Sequence, residues 1–435
     1  MFVAAIGLPV AAAVSTLPPT ASSAAPAAHR GAIGHATTNT IDPYGPAGMN
    51  VDAAQTYLTS GADGVTPHVV VAYIEGGVNW HDSSSEDLAN SMWINWHDTP
   101  VPCVGTTVAT ATMTLNGKTV PCATAYSTDR SDYEVNGADD VTVADWANDP
   151  RVKDANGTGF LDPEDLIAAF SGPGYGSPHT APGGYPNAIS GWDFYDNQND
   201  PVTTDASYGH SDGQMNVIHT VCPTCLILPV KAGDEAIDST EDLAKAWLFA
   251  YASGAKVIVS VTADLGYSTF AADVLSYLDS KGVIVVESSN DFDSADHQGG
   301  MFWGNVLPGN GLVPNTAGVT GSTLSKMTGP FWTRSDLTSF GVHNLFSVAT
   351  YGGSTSESTP TLGAVLALVL SEGQEAAASH EIPGPLTGSQ AVQVLREAST
   401  EPSAPAGSKL PWPATPGEWN AQYGYGMPDV LTALQ

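Results

Sequence analysis

The chain has 435 residues, 42% of them hydrophobic and only 13% charged, which is enough apolar material for a large core in one or two domains. Its net charge of −32 argues against nucleic acid and anionic membrane surfaces as partners and suits an acidic, soluble surface compatible with bound cations. With 45 Gly and 31 Pro, many loops are expected.

In chain order, Phe2 to Val14 is an apolar stretch, and Ala25-Pro26-Ala27 is an A-x-A-like cleavage site. Together they predict an export signal over residues 1–27 and a secreted, extracellular protein. The first basic residue is Arg30, so the positive leader of such a signal is missing and the start reads as assigned too late; a low-complexity Ala/Pro/Ser tail is the other reading. The run is too short and too interrupted by Pro to span a membrane, and no other segment qualifies. Residues 28–66 read as an N-terminal extension, with too few residues for a folded inhibitory propeptide.

Four cysteines in an exported chain suggest disulfides. Cys103 with Cys122 closes a loop that contains the turn signal Asn116-Gly117. Cys222-Pro223-Thr224-Cys225 suits a tight ring. A zinc or redox reading of that pair is weaker, because no second CxxC or suitably spaced His pair accompanies it.

From residue 68 onward, strand and helix patterns alternate. His68–Ile74, Leu226–Val230, Lys256–Val261 and Gly282–Val286 are nearly continuous apolar runs, as strands buried on both faces should be. Thr240–Ser253 and Phe270–Leu278 carry helical spacing. This order predicts an α/β fold of three layers, a mostly parallel sheet with helices on both faces. Reactive groups in such a sheet gather at the C-terminal strand ends. Glu75, Ser260-Val261-Thr262 and Asn290 lie there.

Residues from about 97 to 205 differ. They are rich in Asp, Asn, Gly, Thr and Pro, and read as a loop-rich insertion. Within it, Asp154, Asn156, Thr158, Asp162 and Asp165 place side-chain oxygens at loop positions 1, 3, 5, 9 and 12, Phe160 offers its carbonyl at position 7, and Gly159 stands at position 6. That is the EF-hand spacing, and it predicts a structural Ca2+ site. Position 12 is Asp rather than the usual Glu, which weakens bidentate closure. An Asn-Gly-rich acidic turn that binds nothing is the plainer reading. No organic cofactor is expected.

The segment Gly353-Ser354-Thr355-Ser356-Glu357-Ser358-Thr359-Pro360 runs straight into the apolar stretch Leu362–Leu370. It reads either as a helix with a Ser/Thr cap and Pro in its first turn, or as a turn that sets a nucleophilic Ser at a helix mouth, where negative charge is favoured. Ser356 and Ser354 are the two candidate hydroxyls.

Ser, His, a carboxylate and an amide donor thus fall in one strand–helix framework, and from about Pro67 to the C-terminus the chain resembles the subtilisin-like serine proteases. Four blocks carry the resemblance. Val70–Val78 is similar to the strand ending I-D-[ST]-G-[VI]; Gly209-His210 and the helix after it to the G-H-G-T block; Val285–Asp291 to V-x-A-A-G-N-[DE]; and the Ser356 segment to G-T-S-x-A-[TS]-P. The tail Tyr423–Val430 is similar to the closing G-x-G-x-[VI]-[ND]-A.

The resemblance implies Ser356 as nucleophile, His210 as general base, Glu75 in the place of the orienting acid and Asn290 as oxyanion donor, with Ser260, Val261 and Thr262 along a peptide substrate. It implies a secreted endopeptidase acting on peptides or proteins as a monomer. Three departures stand out. Glu75 replaces Asp and adds a methylene, so the carboxylate is expected to overshoot His210 unless the helix shifts, and Glu75→Asp to raise the rate. Ser211-Asp212-Gly213-Gln214-Met215-Asn216 replaces a run of small, buried residues, so Gln214 and Asn216 are expected to be exposed or repacked. Glu357 adds negative charge close to the forming oxyanion, which is unfavourable unless it points to solvent. These departures support a second reading, a pseudoprotease retained as a peptide-binding module. Sedolisin-type acid peptidases also use Ser with Glu, but His210 and Asn290 follow the subtilisin pattern.

Overall fold

The structure, a computed structural model, describes residues 42–60, 69–80, 86–96, 99–115, 118–122, 141–171, 185–205, 209–235, 237–264, 268–288, 291, 317–327, 332–335, 338, 340–341, 344–400 and 418–435. The expected export signal and Asn290 lie outside them.

The helices are α1 (Val51–Thr59), α2 (Glu86–Asn90), α3 (Pro163–Phe170), α4 (His210–Val221), α5 (Thr240–Ala252), α6 (Thr269–Ser280), α7 (Thr355–Ala378), α8 (Gly388–Glu397) and α9 (Val430–Leu434). The main sheet takes β1 (Val70–Glu75), β4 (Trp192–Asp193), β5 (Leu226–Lys231), β8 (Val257–Ser260), β10 (Ile284–Glu287), β11 (Ala317–Met327), β12 (Trp332–Arg334) and β13 (Asn344–Ala349). Short pairs lie outside it: the hairpin β2 (Thr112–Leu115) with β3 (Lys118–Pro121), the set β6 (Gly233–Asp234), β7 (Ile237–Asp238) and β9 (Ala263–Asp264), and β14 (Ser399–Thr400) with β15 (Met427–Pro428). The expected α/β architecture is the observed one: the four strands read from the sequence are β1, β5, β8 and β10, each within two residues of its expected bounds, and β4, β11, β12 and β13 have no counterpart in that reading.

The sheet order is β12-β11-β10-β8-β1-β5-β4, with β13 also on β11, and every pairing in it is parallel except β11 with β12. From β5 the chain crosses over β1 to β8. The strand order therefore turns at β1, and a crevice is expected at the carboxyl ends there. Glu75 is the last residue of that strand.

Period-two alternation divides the core. Val71, Tyr73, Val257, Val259, Ile284 and Val286 face one layer, which holds α1, α4, α7, α8 and α9. Ala72, Ile74, Ile258 and Val285 face the other, built on α5 and α6. Helix α7 is apolar all round from Leu362 to Leu370, and is buried accordingly. It lies tight on β8: a Cβ at Gly363 would come within 2.4 Å of Val259 Cγ2. Pro360 sits inside α7 rather than in its first turn, and has no N–H to give to the carbonyl of Ser356.

The insertion has structure of its own. Ile94, Val143, Trp146, Leu166, Ile167, Phe170 and Ile189 form a separate small core, and β4 adds an edge to the main sheet. Both disulfides are formed, Cys103–Cys122 across the base of the β2–β3 hairpin and Cys222–Cys225 just after α4. Among the described residues no helix is long and apolar enough to cross a membrane.

Candidate active site

Glu75 and Tyr73 share a face of β1, two residues apart, and point towards α4. Glu75 is fully buried, and three donors fill its carboxylate. Oε1 lies 2.7 Å from His210 Nδ1, while Oε2 accepts from Ser211 Oγ at 2.5 Å and from Tyr73 Oη at 3.1 Å. The extra methylene therefore causes no overshoot. The longer acid reaches the first turn of α4, whose first two side chains close on it.

Lys231 is the parallel neighbour of Glu75 in β5 and is equally buried. Its ammonium turns away to Asp193 Oδ2 at 3.0 Å and Asp196 Oδ2 at 2.9 Å. The charge of Glu75 is left for His210.

The imidazole of His210 keeps 27% of its side-chain surface, whereas Glu75 keeps none. Burial alone pushes the His210 pKa down. The charge of Glu75, the hydrogen bond to it and the charge of Asp291 together outweigh burial and raise it above the ordinary value. With Nδ1 engaged by a carboxylate, Nε2 is the nitrogen left to exchange protons.

Asp212 follows in the same turn and is buried, its two oxygens accepting from the Asn79 N–H at 3.2 and 3.1 Å. This ties the start of α4 to the chain just beyond β1. Of the two amides expected to be exposed or repacked, Asn216 is half-buried; Gln214 is buried, and its Oε1 lacks a hydrogen bond among the described residues.

Helices α4 and α7 pack on each other, and Ser356 stands in the first turn of α7, half-buried. Its hydroxyl makes no hydrogen bond among the described residues. The N-cap is Ser354, with no side-chain cap of its own. Asp291 serves the end of the helix instead: Oδ1 accepts from Thr355 N at 2.8 Å and Thr355 Oγ1 at 2.6 Å, and Ser288 Oγ donates to Thr355 Oγ1 at 2.8 Å. Glu357 does not turn to solvent. It is buried and accepts from the amides of Tyr351 and Gly352.

Of the three residues of the expected substrate edge, Ser260 ends β8 and Val261 and Thr262 follow it. Ser260 presents its backbone beside β1 and β10, but its side chain faces the opposite layer and accepts from Trp247 Nε1 at 2.8 Å. Val261 and Thr262 are buried.

In the insertion, the acidic loop is wired onto its own backbone. Asp154 accepts from Gly157, Thr158 and Gly159 amides, Asp165 from Ala155 and Asp162 amides, and Asp162 caps α3 through Glu164 and Asp165 amides. Gly157 and Gly159 have φ of 82° and 91°, open to glycine above all. Burial pushes Asp162 up to about 6 and raises Asp165 as well. The donors suit a hard cation in kind and spacing. Their arrangement differs from a coordinating one: Asn156 gives its amide N–H groups to Asp162 and Glu164 at 2.7 and 2.9 Å, Thr158 Oγ1 donates to the Phe160 carbonyl at 2.9 Å, and among the described residues no three His, Cys, Asp or Glu side chains converge to hold a metal.

No family model matches the chain, and no curated protein does. Among solved structures it is similar to a lanthipeptide protease, with 18% identity and a TM-score of 0.42 over 56% of this chain and 79% of that one. It is similar to fervidolysin from Fervidobacterium pennivorans, a keratinolytic enzyme related to subtilisin, with 16% identity and a TM-score of 0.41 over 57% of this chain and 39% of that one. For the subtilase cytotoxin SubAB the values are 14% and 0.44, over 57% and 82%.

Proposed function

We propose that this protein is an exported serine endopeptidase of the subtilisin-like type, cutting peptide or protein substrates through an acyl-enzyme on Ser356. The observation that carries the reading is the 2.7 Å contact of Glu75 Oε1 with His210 Nδ1 at the start of α4, which packs on α7, the helix whose first turn holds Ser356. A buried carboxylate on Nδ1 fixes the imidazole tautomer and leaves Nε2 as the base.

Ser356 Oγ attacks the scissile carbonyl carbon and its proton passes to His210 Nε2. The imidazolium is stabilised by Glu75. The oxyanion is held by Asn290 and the α7 end. The C–N bond breaks as His210 returns the proton to the leaving amine. Water then attacks the ester, with His210 again as base, and releases the acid and the free serine. An extended substrate would run along Ser260 to Thr262 and pair with the Val261 carbonyl and Thr262, since the Ser260 carbonyl and the Val261 N–H are already bonded to Ser288 and Ile74. Two formed disulfides suit an oxidising, extracellular setting. We propose a monomer. Asp154, Asn156, Thr158, the Phe160 carbonyl, Asp162 and Asp165 would hold a structural Ca2+ in this loop once Asn156 and Thr158 give up their present hydrogen bonds.

A fluorophosphonate probe tests the central claim. Stoichiometric labelling at Ser356, lost in Ser356→Ala, is expected. A folded protein that stays unlabelled in the presence of Ca2+ sinks the peptidase reading and leaves a peptide-binding module in its place.

A further inference from the structure

Glu357 directly follows Ser356 and occupies an unusual place for a carboxylate. It is 9% exposed and reaches back past the N-cap Ser354 into the preceding turn. There Oε1 accepts from Tyr351 N at 2.8 Å and Oε2 from Gly352 N at 2.5 Å. A Cβ at position 352 would lie 2.6 Å from Oε2, so glycine is what allows the carboxylate this close. On the outer side, Tyr351 Oη donates to Asp42 Oδ1 at 2.9 Å, and the Tyr44 ring packs edge-on against Tyr351 at 5.7 Å. The turn that leads into Ser356 is thus held from within by Glu357 and from without by the N-terminal segment.

One further side chain reaches this turn: Thr350 Oγ1 accepts from the Gly353 N–H at 3.1 Å. Ser354 provides no side-chain cap, and Asp291 engages Thr355 alone of the residues in α7's first turn. The Ser356 hydroxyl has no hydrogen bond of its own among the described residues. Its place is set by the backbone on either side of it, and a misplacement near 1 Å is worth about 10²-fold in rate.

We infer that Glu357 is a positioning residue for Ser356: by binding the Tyr351 and Gly352 amides it fixes the backbone from which the nucleophile projects. This rests on Ser356 being the nucleophile. A carboxylate beside a forming oxyanion is unfavourable in itself; two amide donors occupy this one and hold it on the far side of the turn.

The test compares Glu357→Gln, which keeps one acceptor, with Glu357→Met, which keeps only the bulk. Fluorophosphonate labelling is resolved into a saturating rate and a half-saturating concentration, alongside amide hydrogen exchange at Tyr351 and Gly352. The saturating rate is expected to fall about tenfold in Glu357→Gln and about 10²-fold in Glu357→Met, with the half-saturating concentration little changed and exchange at the two amides accelerated. Folded variants that label at the parent rate overturn the inference. So does a rate loss that only tracks the fraction unfolded, which makes Glu357 a stability residue. If the parent itself is unlabelled, the nucleophile reading fails and this one falls with it; a labelled parent with unaffected variants overturns this one alone.

Discussion

Ser211 Oγ donates to Glu75 Oε2 at 2.5 Å while the neighbouring His210 takes Oε1 at 2.7 Å, so two consecutive residues grip one buried carboxylate by its two oxygens. This pairing explains why the longer acid stands at the end of β1. Ser211→Ala removes a hydrogen bond to a buried charge, expected to cost about 1.5–3 kcal/mol of stability, and lets the carboxylate swing away from His210. A lowered melting temperature with a lowered kcat is expected. Parent values for both would show that the bond contributes nothing.

The same geometry reverses an expectation drawn from family likeness. Glu75→Asp withdraws the carboxylate from His210, Ser211 and Tyr73 together. Labelling of Ser356 is expected to slow by about 10²-fold. Acceleration would mean that the present contacts are not the productive ones.

The raised pKa of His210 gives the pH dependence a definite sign. A protonated His210 beside Glu75 stabilises the fold. That contribution is fully present below the unfolded value near ~6.5 and is lost as pH rises through the higher folded value. Catalysis runs the opposite way, since the base must be neutral. Activity is expected to appear as pH climbs through a midpoint above the ordinary histidine range, and Glu75→Gln to move that midpoint down. A rate–pH profile with the same midpoint in both proteins would count against the Glu75–His210 coupling.

Calcium is expected to raise the melting temperature, by about 2.7 kcal/mol of stabilisation at a hundredfold excess over Kd. A chelator should reverse it, and Asp165→Ala should abolish it. A melting curve blind to both calcium and chelator would assign the loop to its backbone hydrogen bonds alone.

Gly363→Ala would drive a methyl group to within 2.4 Å of Val259 Cγ2, on a β-branched side chain with little freedom to move. The overpacking is expected to cost about 1–3 kcal/mol, read by denaturant unfolding. An unchanged midpoint would mean that α7 can lift from β8 at little cost.

The sheet was legible because β1, β5, β8 and β10 are short apolar runs buried on both faces. Tyr73 could have been assigned to Glu75 from the two-residue period of β1, and Ser260 to the far layer from that of β8. Other features were hidden for physical reasons. The small core of the insertion is scattered among Asp, Asn and Gly, and β4 has two residues, too few for any period. Asp291 and Glu357 find their partners through loop geometry: each takes backbone amides left unpaired at or before the start of α7, and a linear pattern of side chains does not reveal where those amides point.

The central place of β1 also governs when the site can exist. This early strand pairs on one side with Leu226–Lys231 and on the other with Val257–Ser260, and the turn before Ser356 leans on Asp42. Until those distant segments emerge from the ribosome, β1 is an apolar strand with two open edges. Such non-local pairing is slow to form and exposed to aggregation while it waits. It also keeps Glu75, His210 and Ser356 apart until the strands and helices between them have emerged and packed, so the site cannot assemble before α7 has formed.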